Sequence, residues 1–215
     1  MAAPATTTAA MRAALEAEWR TATREHAFLR DVNAGAISAA RFNTWLAQDY
    51  LYARCFSRLL GAMIAGCPEA HLATYVGGMA AIDVELKWFQ AKAQERGIDL
   101  AATEMQPACK EYTAFLSSLH AQPYSVQAAA FWAMEAVYNQ AWSRVGEGLA
   151  DERYREFVER WGNAGFDAYC VALAAHADEA LAAAGPEERG AADGAVRRVV
   201  KLELGFWEMA YHGSA

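Results

Sequence analysis

Residues 38–66 read SAARFNTWLAQDYLYARCFSRLLGAMIAG, and this stretch decides the fold of the chain. Its apolar side chains recur at steps of three and four residues, which is the period of an α-helix. Ser38 favours the start of a helix, and Gly66, followed by a cysteine and a proline, favours its end. We therefore expect one long, uninterrupted helix here.

The same period continues through the rest of the chain, and no stretch alternates between apolar and polar residues as a strand would. Clusters of glycine, asparagine or proline separate the helical segments. We expect the other helices at about 9–32, 72–95, 112–119, 125–146 and 191–211, with two more between the last pair. About seven or eight helices joined by short connections predict an all-α, single-domain helical bundle.

Several of these segments are apolar on more than one face. In the segment after Pro68, six residues are expected to form one buried seam: Leu72, Val76, Met79, Ile82, Leu86 and Phe89. Wide apolar faces suggest a subunit interface in addition to a core, so we expect a homo-oligomer.

The composition is that of an ordinary globular protein, with 55% hydrophobic and 12% aromatic residues among 215. Without a low-complexity linker or an internal repeat, residues 1–215 are expected to form one domain, with residues 1–8 disordered. The net charge of -7 provides no positive surface for nucleic acid or for an anionic membrane. No run of 18 apolar residues could span a membrane.

Cysteine and histidine usage excludes two kinds of site. The four cysteines form no CxxC pair, which favours a reduced protein in the cytoplasm over a disulfide framework. Cys55 and Cys170 are interpreted as small core residues, because no histidine or lysine nearby would activate a thiol. The five histidines are scattered, so no metal site is predicted, and His26 is interpreted as a packed or capping residue.

The most informative feature is a set of carboxylates inside apolar stripes. Three acids on three predicted helices are flanked, at helical spacing, by aromatic or branched apolar residues: Asp49, Glu135 and Glu203. Removing a carboxylate from water costs several kcal/mol unless it is paired, protonated or bound to a ligand. Each acid alone could be a structural residue that pairs with an arginine or caps a helix. Three together favour a small-molecule site lined by carboxylates and aromatic rings.

Two signatures link the chain to a known family. His26-Ala27-Phe28-Leu29, followed by the run from Phe42 through Gln48-Asp49-Tyr50 to Tyr52, resembles the N-terminal signature of the TenA/thiaminase II family. The tail at 203–211, Glu-Leu-Gly-Phe-Trp-Glu-Met-Ala-Tyr, resembles the C-terminal signature of that family. The resemblance extends from about residue 19 to residue 211, and the two signatures in this order are fairly specific.

The resemblance implies a haem-oxygenase-like (TenA-like) fold without haem or another cofactor, assembled as a homotetramer. It also implies hydrolysis of thiamin-derived aminopyrimidines in thiamin salvage. Asp49 would bind the amino edge of the pyrimidine, and Glu203 would donate a proton. Pocket-lining roles carry over to Tyr52, Tyr112, Tyr138 and Trp161. Trp161 stands where the family often has a tyrosine, so it could stack on the ring but offers no hydroxyl.

One position departs from the family pattern. Many members carry a nucleophilic cysteine four residues before the tyrosine matched by Tyr138, and here that position is Met134. A thioether cannot attack a pyrimidine carbon. Glu135 is similar to the acid found nearby in a subgroup that lacks the cysteine (TenA_E-like). That subgroup is associated with formylaminomethyl- and aminomethylpyrimidines, so we expect weak thiaminase activity.

The two glutamates are expected to divide the acid and base roles. Glu203 has the drier surroundings and should be protonated near neutral pH. Glu135 has Tyr138 and Asn139 as polar neighbours, so it should be ionised and activate water, and Asn139 is also expected to contact the substrate.

Two other classes of function stay open. One is a non-catalytic aminopyrimidine-binding protein that has lost its chemistry with the cysteine. The other is a haem- or quinone-acting oxidase of the same fold, for which His26 is the candidate haem ligand.

Overall fold

The computed structural model describes residues 6–213, in which every regular element is helical, so the all-α prediction is confirmed. The α-helices are α1 (Thr8–Ala13), α2 (Glu16–Arg20), α3 (Ala27–Asn33), α4 (Ala39–Gly66), α5 (Glu69–Glu95), α6 (Pro107–Leu119), α7 (Tyr124–Gly146), α8 (Arg155–Trp161), α9 (Ala164–Ala183) and α10 (Pro186–His212). A π-helical turn covers Thr21–Glu25 and a 3-10 turn covers Glu152–Tyr154. None of the helices in this range is long and apolar enough to cross a membrane.

The helices group into two compact units, each built from two separate stretches of chain. Unit 1 comprises the described residues up to Ala36 together with Gln122–Leu204. Unit 2 comprises Ile37–Ala121 together with the residues from Gly205 onward. Helix α10 therefore contributes to both units. A single domain over residues 1–215 stays a prediction.

Unit 1 is organised around α7. This helix is apolar on almost every side, which is typical of a helix buried in a core. Helices α3, α8 and α9 and the π-helical turn all pack against it. Its side chains therefore face several neighbours, and polar residues on α7 are held in largely apolar surroundings.

Unit 2 is organised around α4, which packs against α5 and α6. The hydroxyl of Ser38 accepts a hydrogen bond from the backbone N–H of Arg41 at 3.3 Å, and the helix ends at Gly66 as predicted. The long helix on which the fold was predicted is thus confirmed.

The predicted apolar seam of α5 is wrong at its first two residues, whereas Phe89 at its other end is buried and Met79, Ile82 and Leu86 between them are half-buried. Leu72 and Val76 are 37% and 49% exposed, whereas His71 and Tyr75 are buried. In this first part of α5 the buried face thus lies one position before the predicted one, because the aromatic side chain of Tyr75 packs inward in place of Val76. Periodicity fixes the spacing of a buried face, but its rotation depends on the neighbouring helices.

The single helix predicted for 9–32 is also wrong, because it is broken at two places. Leu15 interrupts it first, and His26 then adopts an extended conformation (φ -60°, ψ 139°) after the π-helical turn. The Nδ1 atom of His26 accepts a hydrogen bond from the backbone N–H of Phe28 at 3.2 Å. The histidine therefore starts α3, which confirms its interpretation as a capping residue.

The predicted disorder of residues 1–8 is not observed at its C-terminal end. The Thr7 hydroxyl caps α1, and the buried Thr8 donates its backbone N–H to Asp178 at 2.7 Å. These two hydrogen bonds satisfy amide groups that a helix start otherwise leaves without partners. Residues 1–5 lie outside the described residues.

Candidate functional site

Unit 2 holds an aromatic cluster centred on Tyr52. Its ring centroid lies 4.7 Å from that of Tyr112, 5.8 Å from that of Phe56 and 6.0 Å from that of Phe206. Tyr112 is fully buried, whereas Tyr52 is half-buried. The structure therefore brings together the two tyrosines that were predicted to line a pocket, and it adds two phenylalanines to them.

Asp49 lies one turn before Tyr52 on α4 and is buried, with 6% of its surface exposed. Its position inside an apolar face is therefore confirmed, while its contact with a substrate stays a prediction. Burial, and then the nearby Asp49 carboxylate, raise the pKa of the Cys109 thiol to about 12. Because that thiol stays protonated near neutral pH, Cys109 is not an activated nucleophile.

Gln48 is a buried residue of unit 2 for which no role of its own was predicted from the sequence. Its side-chain N–H donates to the backbone carbonyl of Glu104 at 2.9 Å. Its side-chain carbonyl accepts from the backbone N–H of Gln106 at 2.8 Å. These bonds hold the connector before α6 against the helix that carries Asp49. The sequence feature that could have pointed to this role is the position of Gln48 directly before Asp49 in the N-terminal signature.

Unit 1 holds a second aromatic cluster, where α7 meets α8. The ring of Trp161 lies 5.3 Å from both Tyr138 and Trp142, measured between centroids. The next residue, Gly162, approaches the α7 backbone so closely that an added Cβ would lie 2.8 Å from the Ser143 nitrogen. Tyr138 and Trp161, which were both predicted to line a pocket, are therefore neighbours. Stacking of Trp161 on a substrate stays a prediction.

Asn139 is buried beside this cluster, and its amide nitrogen donates to the Trp161 carbonyl at 2.8 Å. The bond joins the end of α8 to α7 and fixes the Trp161 backbone. Asn139 therefore positions the aromatic cluster, and its predicted contact with a substrate stays a prediction.

Glu135 lies one turn before Tyr138 and Asn139 on α7 and is half-buried. Burial, and then the negative charge of Glu135, raise the pKa of the Cys170 thiol on α9. The preceding residue, Met134, is buried in the core and offers no thiol. Neither Met134 nor Cys170 therefore provides a thiolate here near neutral pH, and the role of Glu135 as a base stays a prediction.

Glu203 lies on the part of α10 that belongs to unit 1, and only 5% of its surface is exposed. Val199 and Val200, one turn earlier, are buried as well. The dry surroundings predicted for Glu203 are thus confirmed, and its role as a proton donor stays a prediction.

The described residues form no cluster of metal-binding side chains, and they form a cavity away from the predicted residues. Within residues 6–213, no group of three or more histidine, cysteine or acidic residues could hold a metal ion. Unit 1 also has an open cavity of about 420 Å³, lined by Thr23, Arg24, Glu25, Leu29, Arg30, Asn33, Arg144, Val145 and Glu147. Arginine–glutamate pairs, including Arg144–Glu147 at 2.5 Å, neutralise much of its charge.

Comparisons with known proteins identify relatives of nearly the whole chain. Residues 12–213 match the TENA/THI-4/PQQC family. A probable bifunctional TENA-E protein from Glycine max is 35% identical over 194 residues, which cover 86% of this chain and 85% of the relative.

Solved structures agree with that match. A TenA homologue from Pyrococcus furiosus has a TM-score of 0.90 and 28% identity, with 95% of this chain and 99% of that chain covered. A TenA family transcription regulator from a Silicibacter species has a TM-score of 0.87 and 24% identity, with 99% and 100% covered. The predicted TenA-like fold is therefore confirmed.

Proposed function

The chain belongs to the TENA/THI-4/PQQC family, and on that premise we propose that it hydrolyses thiamin-derived aminopyrimidines. The substrates would be formylaminomethyl- and aminomethylpyrimidines, and the reaction would serve thiamin salvage. No cofactor takes part in the proposed chemistry.

The observation that carries the proposal is the buried Asp49 carboxylate, one turn from the aromatic cluster around Tyr52. An aminopyrimidine presents a ring nitrogen and an exocyclic amine on one edge. A carboxylic acid or carboxylate matches such an edge with two parallel hydrogen bonds. Aromatic side chains favour a flat ring by stacking or edge contact. Asp49 and its neighbours therefore offer both kinds of contact that this substrate class requires.

The proposed chemistry uses the two glutamates. Glu135 takes one proton from a water molecule, and the water oxygen bonds to the carbon that carries the leaving nitrogen. The carbon–nitrogen bond breaks with its electron pair on nitrogen, which takes a proton from Glu203. Proton exchange with solvent then resets both carboxyl groups. The burial of Glu203 supports its part, because a carboxyl group removed from water is more easily kept protonated.

The cysteine-independent route is supported by the state of the thiols. Met134 occupies the position of the nucleophile, and burial raises the pKa of both Cys109 and Cys170. The similarity to a probable TENA-E protein points to the same subgroup. We therefore propose that cleavage of intact thiamin is at most a weak side activity.

A homotetramer is part of the proposal. On α5, Leu72 and Val76 are exposed, as is Val84 on the same helix. Apolar surface of this kind favours association between copies of the chain. Light scattering should return four times the chain mass of 23.4 kDa, and a monomer at micromolar concentration would contradict this part.

A second candidate function is favoured by Met134, which removes the usual nucleophile. The chain would then be a carrier that binds aminopyrimidines without converting them. Both candidates require binding, but only the first requires turnover.

The test is a substrate panel followed by mass spectrometry. The purified protein is incubated with formylaminomethylpyrimidine, aminomethylpyrimidine and thiamin, and the release of formate, ammonia or thiazole is measured. We expect formate or ammonia and little thiazole. Tight binding without turnover would support the carrier, and neither binding nor turnover would contradict both candidates.

A further inference from the structure

Tyr169 is a second-turn residue of α9 in unit 1, and its hydroxyl is a buried polar group. The oxygen is inaccessible to solvent and has no hydrogen-bond partner within residues 6–213. The ring itself packs against Phe166, with centroids 6.2 Å apart. Most buried hydroxyls in native proteins are bonded to protein or to ordered water, because an unsatisfied one is costly. This hydroxyl can therefore take an ordered water molecule as its partner.

Glu135 is the acid that faces this part of α9. Helix α9 packs along α7, and Glu135 lies on α7. After burial, the charge of Glu135 is the largest influence that raises the pKa of Tyr169, and it acts in the same way on Cys170. One turn further along α7, Tyr138 and Asn139 contact Trp161 at the end of α8. The side of α7 that carries Glu135, Tyr138 and Asn139 thus faces the connection between the end of α8 and the start of α9.

We propose that Tyr169 is a positioning residue that, together with Glu135, holds the water molecule consumed in hydrolysis. This inference rests on the proposed function. A buried water needs two or more polar partners, and a carboxylate and a phenol oxygen supply two. The water donates one hydrogen to Glu135 and the other to the Tyr169 oxygen, which leaves a lone pair for the substrate carbon.

The two side chains have different parts in the step. Glu135 takes its proton as the new carbon–oxygen bond forms. The second hydrogen stays on the oxygen and leaves with the product, so Tyr169 neither gains nor loses a proton. The raised pKa of Tyr169 agrees with this division, because its phenol stays neutral at working pH and cannot compete as the base.

The test is Tyr169→Phe, which removes a single oxygen atom. We expect kcat to fall by about 10–100-fold with KM within about twofold, as for a misplaced reactant. The thermal midpoint should not fall, because the Tyr169 oxygen makes no hydrogen bond to another residue within 6–213. If both residues hold one water, the double variant Glu135→Gln/Tyr169→Phe should be no slower than Glu135→Gln alone.

Tyr75→Phe is the matched control, because Tyr75 is fully buried in unit 2. Its kcat and KM should equal those of the wild type. A normal kcat in Tyr169→Phe would overturn the inference and leave the proposed function in place. A fall in kcat that is accompanied by a lower thermal midpoint, or that adds fully to the effect of Glu135→Gln, would make Tyr169 merely structural. A wild-type protein that converts no aminopyrimidine would overturn the proposed function itself, and the inference with it.

Discussion

The side-chain carbonyl of Gln48 accepts a hydrogen bond of 2.8 Å from the backbone N–H of Gln106, 58 residues later in the chain. Replacing Gln48 by alanine removes this bond and the one to the Glu104 carbonyl. We expect the free energy of unfolding to fall by about 1–3 kcal/mol, since buried backbone groups lose their partners. KM should rise as well, because the connector before α6 positions Tyr112. Urea denaturation and steady-state kinetics measure the two effects.

Gln90→Ala is the control for that prediction. The amide of Gln90 also makes a side-chain hydrogen bond, to the Tyr50 hydroxyl at 3.1 Å, but the pair is exposed. We expect a change in stability within about 0.5 kcal/mol. If the two substitutions lowered the free energy of unfolding equally, the bonds of Gln48 to the connector would stabilise the protein no more than an exposed hydrogen bond does.

Asp49→Asn tests the contact with the amino edge of the substrate. The substitution keeps the shape of the side chain but turns one hydrogen-bond acceptor into a donor. Binding should weaken by about 2–3 kcal/mol, the range for a lost hydrogen bond to a charged group. Calorimetric titration measures the affinity, and Asp83→Asn on the exposed face of α5 is the control. An unchanged affinity would remove Asp49 from the binding site.

Gly162→Ala tests the close approach of α8 to α7. The added Cβ would lie 2.8 Å from the Ser143 nitrogen and 2.9 Å from the Trp142 carbonyl carbon, both of them backbone atoms. We expect a loss of about 1–3 kcal/mol from overpacking. Gly194→Ala, within α10, meets nothing within 4 Å and should stabilise the protein by about 0.5–1 kcal/mol. Thermal unfolding of the two variants should therefore shift in opposite directions.

The alkaline stability of the protein should depend on Cys109. Burial, and then the nearby Asp49 carboxylate, raise its pKa in the folded chain to about 12, so the folded protein keeps a proton that the unfolded chain releases at lower pH. The resulting stability is fully present below about pH 9 and is lost as the pH rises towards 12, at up to about 1.4 kcal/mol per pH unit. Cys109→Ala should flatten this decline in thermal scans between pH 8 and 11. The more exposed Cys67 serves as the control, and an equal flattening by Cys67→Ala would contradict the assignment.

The sequence predicted the parts of the fold that local chemistry determines. Ser38, the 3.6-residue period and Gly66 lie within or beside one helix, so α4 was correct at both ends. The break at His26 was missed, because that residue starts α3 only when its ring accepts the Phe28 N–H. The start of the buried face of α5 was missed for another reason, since a neighbouring helix decides whether Tyr75 or Val76 turns inward.

For the candidate site, too, the sequence predicted the features that local chemistry determines and missed those that depend on distant residues. The burial of Asp49 and Glu203 follows from apolar neighbours at helical spacing, and it was predicted. The bond from Asn139 to the Trp161 carbonyl joins residues 22 positions apart, and no local pattern indicates it. Tyr169 was missed because a tyrosine in an alanine-rich helix resembles an ordinary core residue until its hydroxyl is seen to be buried.

The last prediction concerns the division of labour between Glu203 and Glu135. Either substitution to glutamine keeps the shape of the side chain but removes its ability to exchange a proton. We expect each to lower kcat by about 10²–10⁴-fold with a modest effect on KM, as for general acid and base groups. The wild-type enzyme should show a bell-shaped dependence of kcat on pH. Glu135→Gln should abolish the limb that rises with pH, because the base is lost, and Glu203→Gln should abolish the limb that falls.

Glu208→Gln is the matched control, because Glu208 lies on the same helix as Glu203 but is exposed and paired with His212 at 3.2 Å. Its kcat and pH profile should equal those of the wild type. If Glu203→Gln kept a near-normal kcat on aminomethylpyrimidine, the proton donor would have to be another group. If only Glu135→Gln behaved normally, Glu203 would have to serve as both acid and base. The pH profile of Glu135→Gln would then keep both limbs, which separates this outcome from the proposed mechanism.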